Sequence, residues 1–149
     1  MHRFVASGFG VGLIPSRLWG SDKGAGTFGA ALAAAMSLVW WNASWLVHVG
    51  VFLVVALLSL WSARPFADEH ADPGWIVVDE MAGTFVAVIG LAGWPWLVAV
   101  VVARIGDIFK VLPGVAPAER LPGAAGITLD DIVAGLYGLA VGWVTWWLL

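Results

Sequence analysis

The segment GITLDDIVAGLYGLAVGWVTWWLL, running from Gly126 to Leu149, decides the class of fold. After Asp131 it carries no charge, and its apolar length suits a helix that crosses a bilayer, which takes about 20 residues. Yet two adjacent aspartates, Asp130 and Asp131, stand near its start. Carboxylates at the edge of a membrane helix are costly unless other groups at that edge compensate them. The rest of the chain has to supply those groups.

Composition agrees with a membrane setting. Apolar residues make up 61% of the 149 residues and charged residues only 11%, against about 25% charged in a soluble domain. The balance predicts an all-α integral membrane protein folded as a single domain over residues 1–149. A formal net charge of −3 argues against a nucleic-acid partner. The absence of cysteine excludes disulfides, thiolate metal sites and a cysteine-phosphatase nucleophile. The opening MHRFVASGFGVGLIPSRLWG has a basic residue and a short apolar run, as a secretory signal does. Glycines interrupt that run and no small-x-small cleavage site follows, so it reads as part of the mature protein.

Five stretches have the apolar content of membrane-related helices: roughly 26–41, 44–61, 76–92, 95–112 and 129–149. They predict a small polytopic bundle of about four to five membrane helices. The connectors WNAS (41–44) and AGWP (92–95) are short and uncharged, whereas 62–75 and 113–126 are longer, polar and proline-bearing, as exposed loops are. With five alternating spans, all seven basic and all ten acidic residues fall on the amino-terminal side of the membrane. The positive-inside tendency makes that side the cytoplasm.

Three sets of charges occupy helix ends there. WIVVDEMAG places Asp79 and Glu80 at the start of the third helix. ARIGDIFKVLPG places Arg104, Asp107 and Lys110 three apart at the end of the fourth, within about 120° of one another. Asp130 and Asp131 open the fifth. Small residues run below the aspartates, Gly135, Gly138 and Gly142 on one helix and Gly83, Ala87 and Gly90 on another. Such spacing marks close helix contact in membranes, with the aspartates turned inward. Carboxylates beside a guanidinium and an ammonium suggest a hard divalent ion held next to a phosphate. Each set also has a bland explanation: an N-cap pair at 130–131, a solvated helix start at 79–80, and an intrahelical ion-pair ladder at 104–110.

The segment KGAGTFGAALAAA contains G-x-G-x-x-G from Gly24 to Gly29. No strand precedes it, so a dinucleotide fold is not expected. A glycine-rich helix start can offer backbone N–H groups to an anion; close packing through Gly26, Ala30 and Ala34 is the alternative. His48, mid-span in an apolar helix, reads as a packing or hydrogen-bonding residue. His2 and His70 read as exposed, and His70 in ADEHAD could bind a metal weakly.

GFGVGLIP, GTFGA, VVDEMAG, RIGDIFK and GITLDDIVAG, in this order and spacing, resemble the bacterial phosphatidylglycerophosphatase A family over nearly the whole chain. The resemblance implies a small, Mg²⁺-dependent helical phosphatase of the bacterial inner membrane. Its active site would face the cytoplasm and convert the lipid phosphatidylglycerophosphate to phosphatidylglycerol. It implies Asp79, Glu80, Asp107, Asp130 and Asp131 as metal ligands, Asp79, Glu80, Asp107 and Asp131 as catalytic, and Arg104, Lys110, Thr27 and Gly26 as phosphate-binding. Ala25 and Val111 stand where the family usually has proline, and the link SRLWGSDKGA is longer than usual. These departures concern the loop that admits substrate more than the metal chemistry.

The mechanism expected from these residues is hydrolysis of a lipid phosphomonoester. Arg104 and Lys110 would stabilise the transferring phosphoryl group, and Glu80 or Asp131 would accept the proton of the attacking water. A phosphatase for a different lipid phosphate is one alternative. The other is a divalent-cation or proton transporter, against which no acidic residue lies deep in a span. Histidine-dependent lipid phosphatases and CDP-alcohol phosphotransferases are excluded for want of their motifs.

Overall fold

The computed structural model describes residues 1–67 and 73–149; His70 lies outside the described residues. The elements in order are α1 (His2–Ala6), a 3₁₀ turn (Val11–Leu13), α2 (Ile14–Trp19), α3 (Ala25–Ser37), α4 (Trp45–Ala63) and a second 3₁₀ turn (Arg64–Phe66). There follow α5 (Val78–Ala87), α6 (Gly93–Phe109), α7 (Val115–Glu119) and α8 (Ala124–Leu148). No strand occurs among the described residues.

The five expected helices are all present, with ends that differ in an instructive way. The third is ten residues instead of seventeen: the chain leaves it through Gly90 at φ +69° and Gly93 at φ +63°, backbone states that break a helix and suit glycine. At 1.5 Å per residue, α5 covers about 15 Å, half of a hydrocarbon core of about 30 Å. The first stops at Ser37 and the fourth at Phe109, where Lys110 turns left-handed at φ +49°. The fifth begins five residues earlier than expected, at Ala124 after Gly123. Two helices, Trp45–Phe66 and Ala124–Leu148, are long and apolar enough to cross a membrane. A bundle with four or five full spans is therefore more than the helix lengths establish.

Helix α8 is the spine, packed against α4, α5, α6 and α7. Its glycines serve two neighbours. A Cβ on Gly135 would strike the carbonyl of Gly83 in α5, while Gly138 lies against the Ala99 carbonyl and Gly142 against Leu91 and Ala99 beside α6. These approaches bring backbones closer than any side chain permits, which is how small residues hold membrane helices together. Helices α3 and α4 cover the other side of α5, with Ala33 packed on Met81 and Phe85. Two polar contacts tie the layers. Ser59 and Thr128 hydroxyls bond at 2.7 Å between α4 and α8, and Trp96 Nε1 donates to Ser37 Oγ at 2.9 Å between α6 and α3.

The outward faces are greasy: Leu46, Leu53, Val54 and Leu57 of α4 and Trp146 and Trp147 of α8 are exposed. His48 is buried, and neither ring nitrogen has a hydrogen-bond partner among the described residues, so packing rather than hydrogen bonding describes it. His2 is half-buried, stacked on Trp61 with ring centroids 4.0 Å apart, instead of exposed as its sequence context suggests.

A candidate metal and phosphate site

One end of the bundle gathers the amino terminus of α3, the start of α5, the end of α6 and the first turns of α8. Asp79 and Glu80 lie in the first turn of α5. Asp130 and Asp131 do not open their helix. They sit about two turns inside α8, because the PGAAG stretch read as loop is helical from Ala124. N-capping therefore cannot explain them, and both are buried, as is Asp79.

Carboxylate oxygens of Asp79, Glu80 and Asp131 lie within 4.8 Å of one another, and so do those of Asp107, Asp130 and Asp131. Asp131 belongs to both groups. Asp79 Oδ1, Glu80 Oε2 and Asp130 Oδ1 are buried without a hydrogen-bond partner among the described residues. Burying an ionised carboxylate without a partner is costly, and several at this spacing repel one another. An all-oxygen set of unsatisfied acids is what a hard divalent cation accepts as ligands. The residues present fit such an ion.

The cations sit at the rim. Arg104 pairs with Asp107 one turn on, and its guanidinium is 3.9 Å from Glu80 Oε1. Its Nε has no hydrogen-bond partner among the described residues. The expected ladder along α6 ends there, since the left-handed turn at Lys110 takes that side chain off the helix face. Lys110 Nζ instead donates to Asp130 Oδ2 at 3.0 Å and pairs with Glu119 of α7. Burial works against the charged ammonium, but the hydrogen bonds to Glu119 and Asp130, and their charges, hold its pKa above the ordinary lysine range. Glu119 escaped the sequence reading; only its charge, in a loop read as solvated, hinted at it.

Gly26 is at the centre of this arrangement. A Cβ there would collide with the Glu80 carboxylate and lie 2.6 Å from the Arg104 guanidinium. In the first turn of α3, Ala25 N–H donates to Asp22 O, and Thr27 and Phe28 N–H donate to Gly24 O. The Gly26 N–H has no partner among the described residues. Thr27 is placed beside it, exposed, with no side-chain hydrogen bond among the described residues. Ala30, Glu80, Gly83, Thr84, Arg104 and Asp131 border a cavity of about 10 Å³, the space of a single water molecule.

Carboxylates that could hold a cation, bordered by a guanidinium, an ammonium and a helix-start amide, make a candidate site for chemistry on a phosphate group. The sequence profile of the family described as Phosphatidylglycerophosphatase A matches residues 4–146. The chain belongs to the phosphatidylglycerophosphatase A family, and is a phosphatase of that membrane-associated family. It is 30% identical to the "Phosphatidylglycerophosphatase A" of Haemophilus influenzae, over 97% of this chain and 89% of that protein. It is 28% identical to the protein of that name from Escherichia coli, over 92% and 78%. A Bacteroides thetaiotaomicron protein named "Putative phosphatidylinositol-3-phosphatase" is 30% identical over 97% and 93%. No solved structure matches the chain.

Proposed function

We propose that this protein hydrolyses the terminal phosphomonoester of phosphatidylglycerophosphate, with Mg²⁺, at the cytoplasmic face of a bacterial inner membrane. The observation that supports it most is the pair of carboxylate groups sharing Asp131 and bordered by Arg104 and Lys110. Asp79, Glu80, Asp107, Asp130 and Asp131 are the residues that would hold the metal. When bound, Mg²⁺ supplies charge neutralisation at phosphate oxygens and a more acidic water.

The chain's own groups do the rest. Arg104 presents a planar fork suited to two phosphate oxygens, and exchanges its bond to Asp107 for bonds to substrate. Lys110 adds a point charge, and the Gly26 N–H adds a donor at the positive end of α3. Glu80 and Asp131 both border the small cavity, which supports the reading that one of them takes a proton from water. The diacyl tails stay against the apolar outer faces of the bundle, so the headgroup alone has to reach the polar end. In this reading the short helices α3, α5 and α6 stand with α4 and α8 in the membrane, as a bundle of four to five segments.

The experiment is phosphate release by purified protein from a panel of lipid phosphomonoesters, with Mg²⁺ and with a chelator. Metal-dependent turnover of phosphatidylglycerophosphate above the others is expected. A phosphoinositide preferred instead would favour a second reading, a phosphatase for a different lipid phosphate, which the name of the Bacteroides relative motivates. No release from any lipid phosphate would overturn both.

A further inference from the structure

The amino-terminal segment ahead of α3 forms a basin that the phosphatase chemistry does not use. It is an open cavity of about 800 Å³, bordered by Arg3, Phe4, Phe9, Leu13, Ile14 and Arg17 among others, with no acidic residue in its lining. It shares no residue with the carboxylate cluster. Neither Arg3 nor Arg17 has a carboxylate partner among the described residues. Arg3 lies over the Trp75 ring at 5.4 Å, which orients its guanidinium without neutralising it.

Phe9 gives this basin its second signature. It has φ +59° between Gly8 at +57° and Gly10 at +95°, and 57% of its surface is exposed. A bulky residue in the left-handed region is strained, and here it carries a phenyl ring that stands out of the core, edge-on to the equally exposed Phe4 at 5.5 Å. Beneath it the chain is pinned: Gly8 packs on Val77 and Met81, and Gly12 on the Trp75 carbonyl. The loop is thus packed closely on the start of α5 and the residues before it while presenting two aromatic rings and two guanidiniums that have no carboxylate partner among the described residues.

We infer that this basin is an accessory binding site for an anionic phospholipid, separate from the catalytic cluster. The guanidiniums take the phosphodiester and the two phenyl rings take the upper acyl chain. Charge complementarity selects the occupant. A free anion would leave Phe4 and Phe9 uncovered, and a zwitterionic lipid would place its own cation against two arginines. Basic side chains beside apolar ones at a membrane surface favour anionic lipid for these reasons.

Native mass spectrometry of the full chain in detergent tests it, with equimolar phosphatidylglycerol and phosphatidylcholine of the same acyl chains. The wild type should retain phosphatidylglycerol roughly thirtyfold over phosphatidylcholine, the scale expected for two basic groups. Arg3→Gln with Arg17→Gln should abolish that preference while phosphate release stays within error and thermal unfolding shifts by no more than loss of the Arg3–Trp75 contact accounts for, both residues being exposed. Arg104→Ala should leave the preference intact. The inference is overturned by equal retention of the two lipids in the wild type, or by a preference that survives the double variant. It is equally overturned by a preference lost in Arg104→Ala, which would place the bound lipid at the catalytic end, or by displacement of the lipid with equimolar inorganic phosphate.

Discussion

Asp131 and Arg104 are the residues at which substitution tests the proposed ligand, base and clamp roles separately. Asp131→Asn keeps shape and hydrogen-bonding capacity, and because the residue lies well inside α8 no cap is lost. Removing one of several mutually repelling buried acids should leave the fold intact or firmer, while phosphate release falls by at least about a hundredfold, as for loss of a catalytic electrostatic contact. A folded variant with near-normal turnover would sink the ligand assignment. Arg104→Lys keeps charge but loses the fork, so turnover should fall clearly; Arg104→Ala should lose about 3 kcal/mol or more of transition-state stabilisation. Calorimetric Mg²⁺ binding should survive both, since the guanidinium competes for the same carboxylates. Normal hydrolysis by both would leave Arg104 as merely the ion-pair partner of Asp107. Most of this constellation was legible in sequence, because charges are so rare in the chain that each one stands out. What was not legible depended on a single dihedral. The left-handed turn at Lys110 redirects its ammonium from α6 to Asp130 and Glu119, and no residue type at that position announces it.

Helices were legible as elements but not in their ends. Apolar runs located all five, whereas glycine misled in both directions. Gly123 and Gly126 look like loop, yet α8 starts at Ala124, and Gly126 serves to let the chain pass the Leu121 carbonyl. Gly90 looks like one more small residue on the third helix and instead lies in the turn beyond its end at Ala87. The glycines that were read correctly are those of the helix contacts. Gly135→Ala would push a methyl into the Gly83 carbonyl and the Val86 side chain. Separating α5 from α8 also separates Asp79 and Glu80 from Asp131. A stability loss of about 1–3 kcal/mol is expected for such overpacking, together with a loss of turnover and of Mg²⁺ affinity. Gly50→Ala on α4, where a Cβ meets nothing within 4 Å, is the control. It should be neutral or stabilising by up to about 1 kcal/mol, since alanine is the better helix former. Thermal unfolding and phosphate release on both variants decide whether the glycine contact or helix propensity matters.

On the scale of the whole molecule, the apolar bundle has one charged end and one that is nearly bare. Asp22, Lys23, Glu119 and Arg120 border the end that holds the carboxylate cluster. The opposite end carries the uncharged turns at 38–44 and 88–92, where Gly90 meets Trp143 and Leu91 meets Gly142. Carrying ionised groups across a bilayer is costly, and basic residues favour the cytoplasmic side, so the charged end should face the cytoplasm. The chain contains no cysteine, which makes single-cysteine labelling clean. Arg120 and Asn42 are both exposed, at opposite ends. A thiol reagent that cannot cross the membrane should label Asn42→Cys in intact spheroplasts and label Arg120→Cys only after the membrane is opened. Asn42 is joined to α4, one of the two helices of spanning length, so its reactivity also tests whether that helix crosses. Protection of Asn42→Cys until permeabilisation would mean that both ends lie inside and the bundle rests in one leaflet. Immediate labelling of Arg120→Cys with protection of Asn42→Cys would reverse the orientation and put the phosphatase chemistry on the outer face.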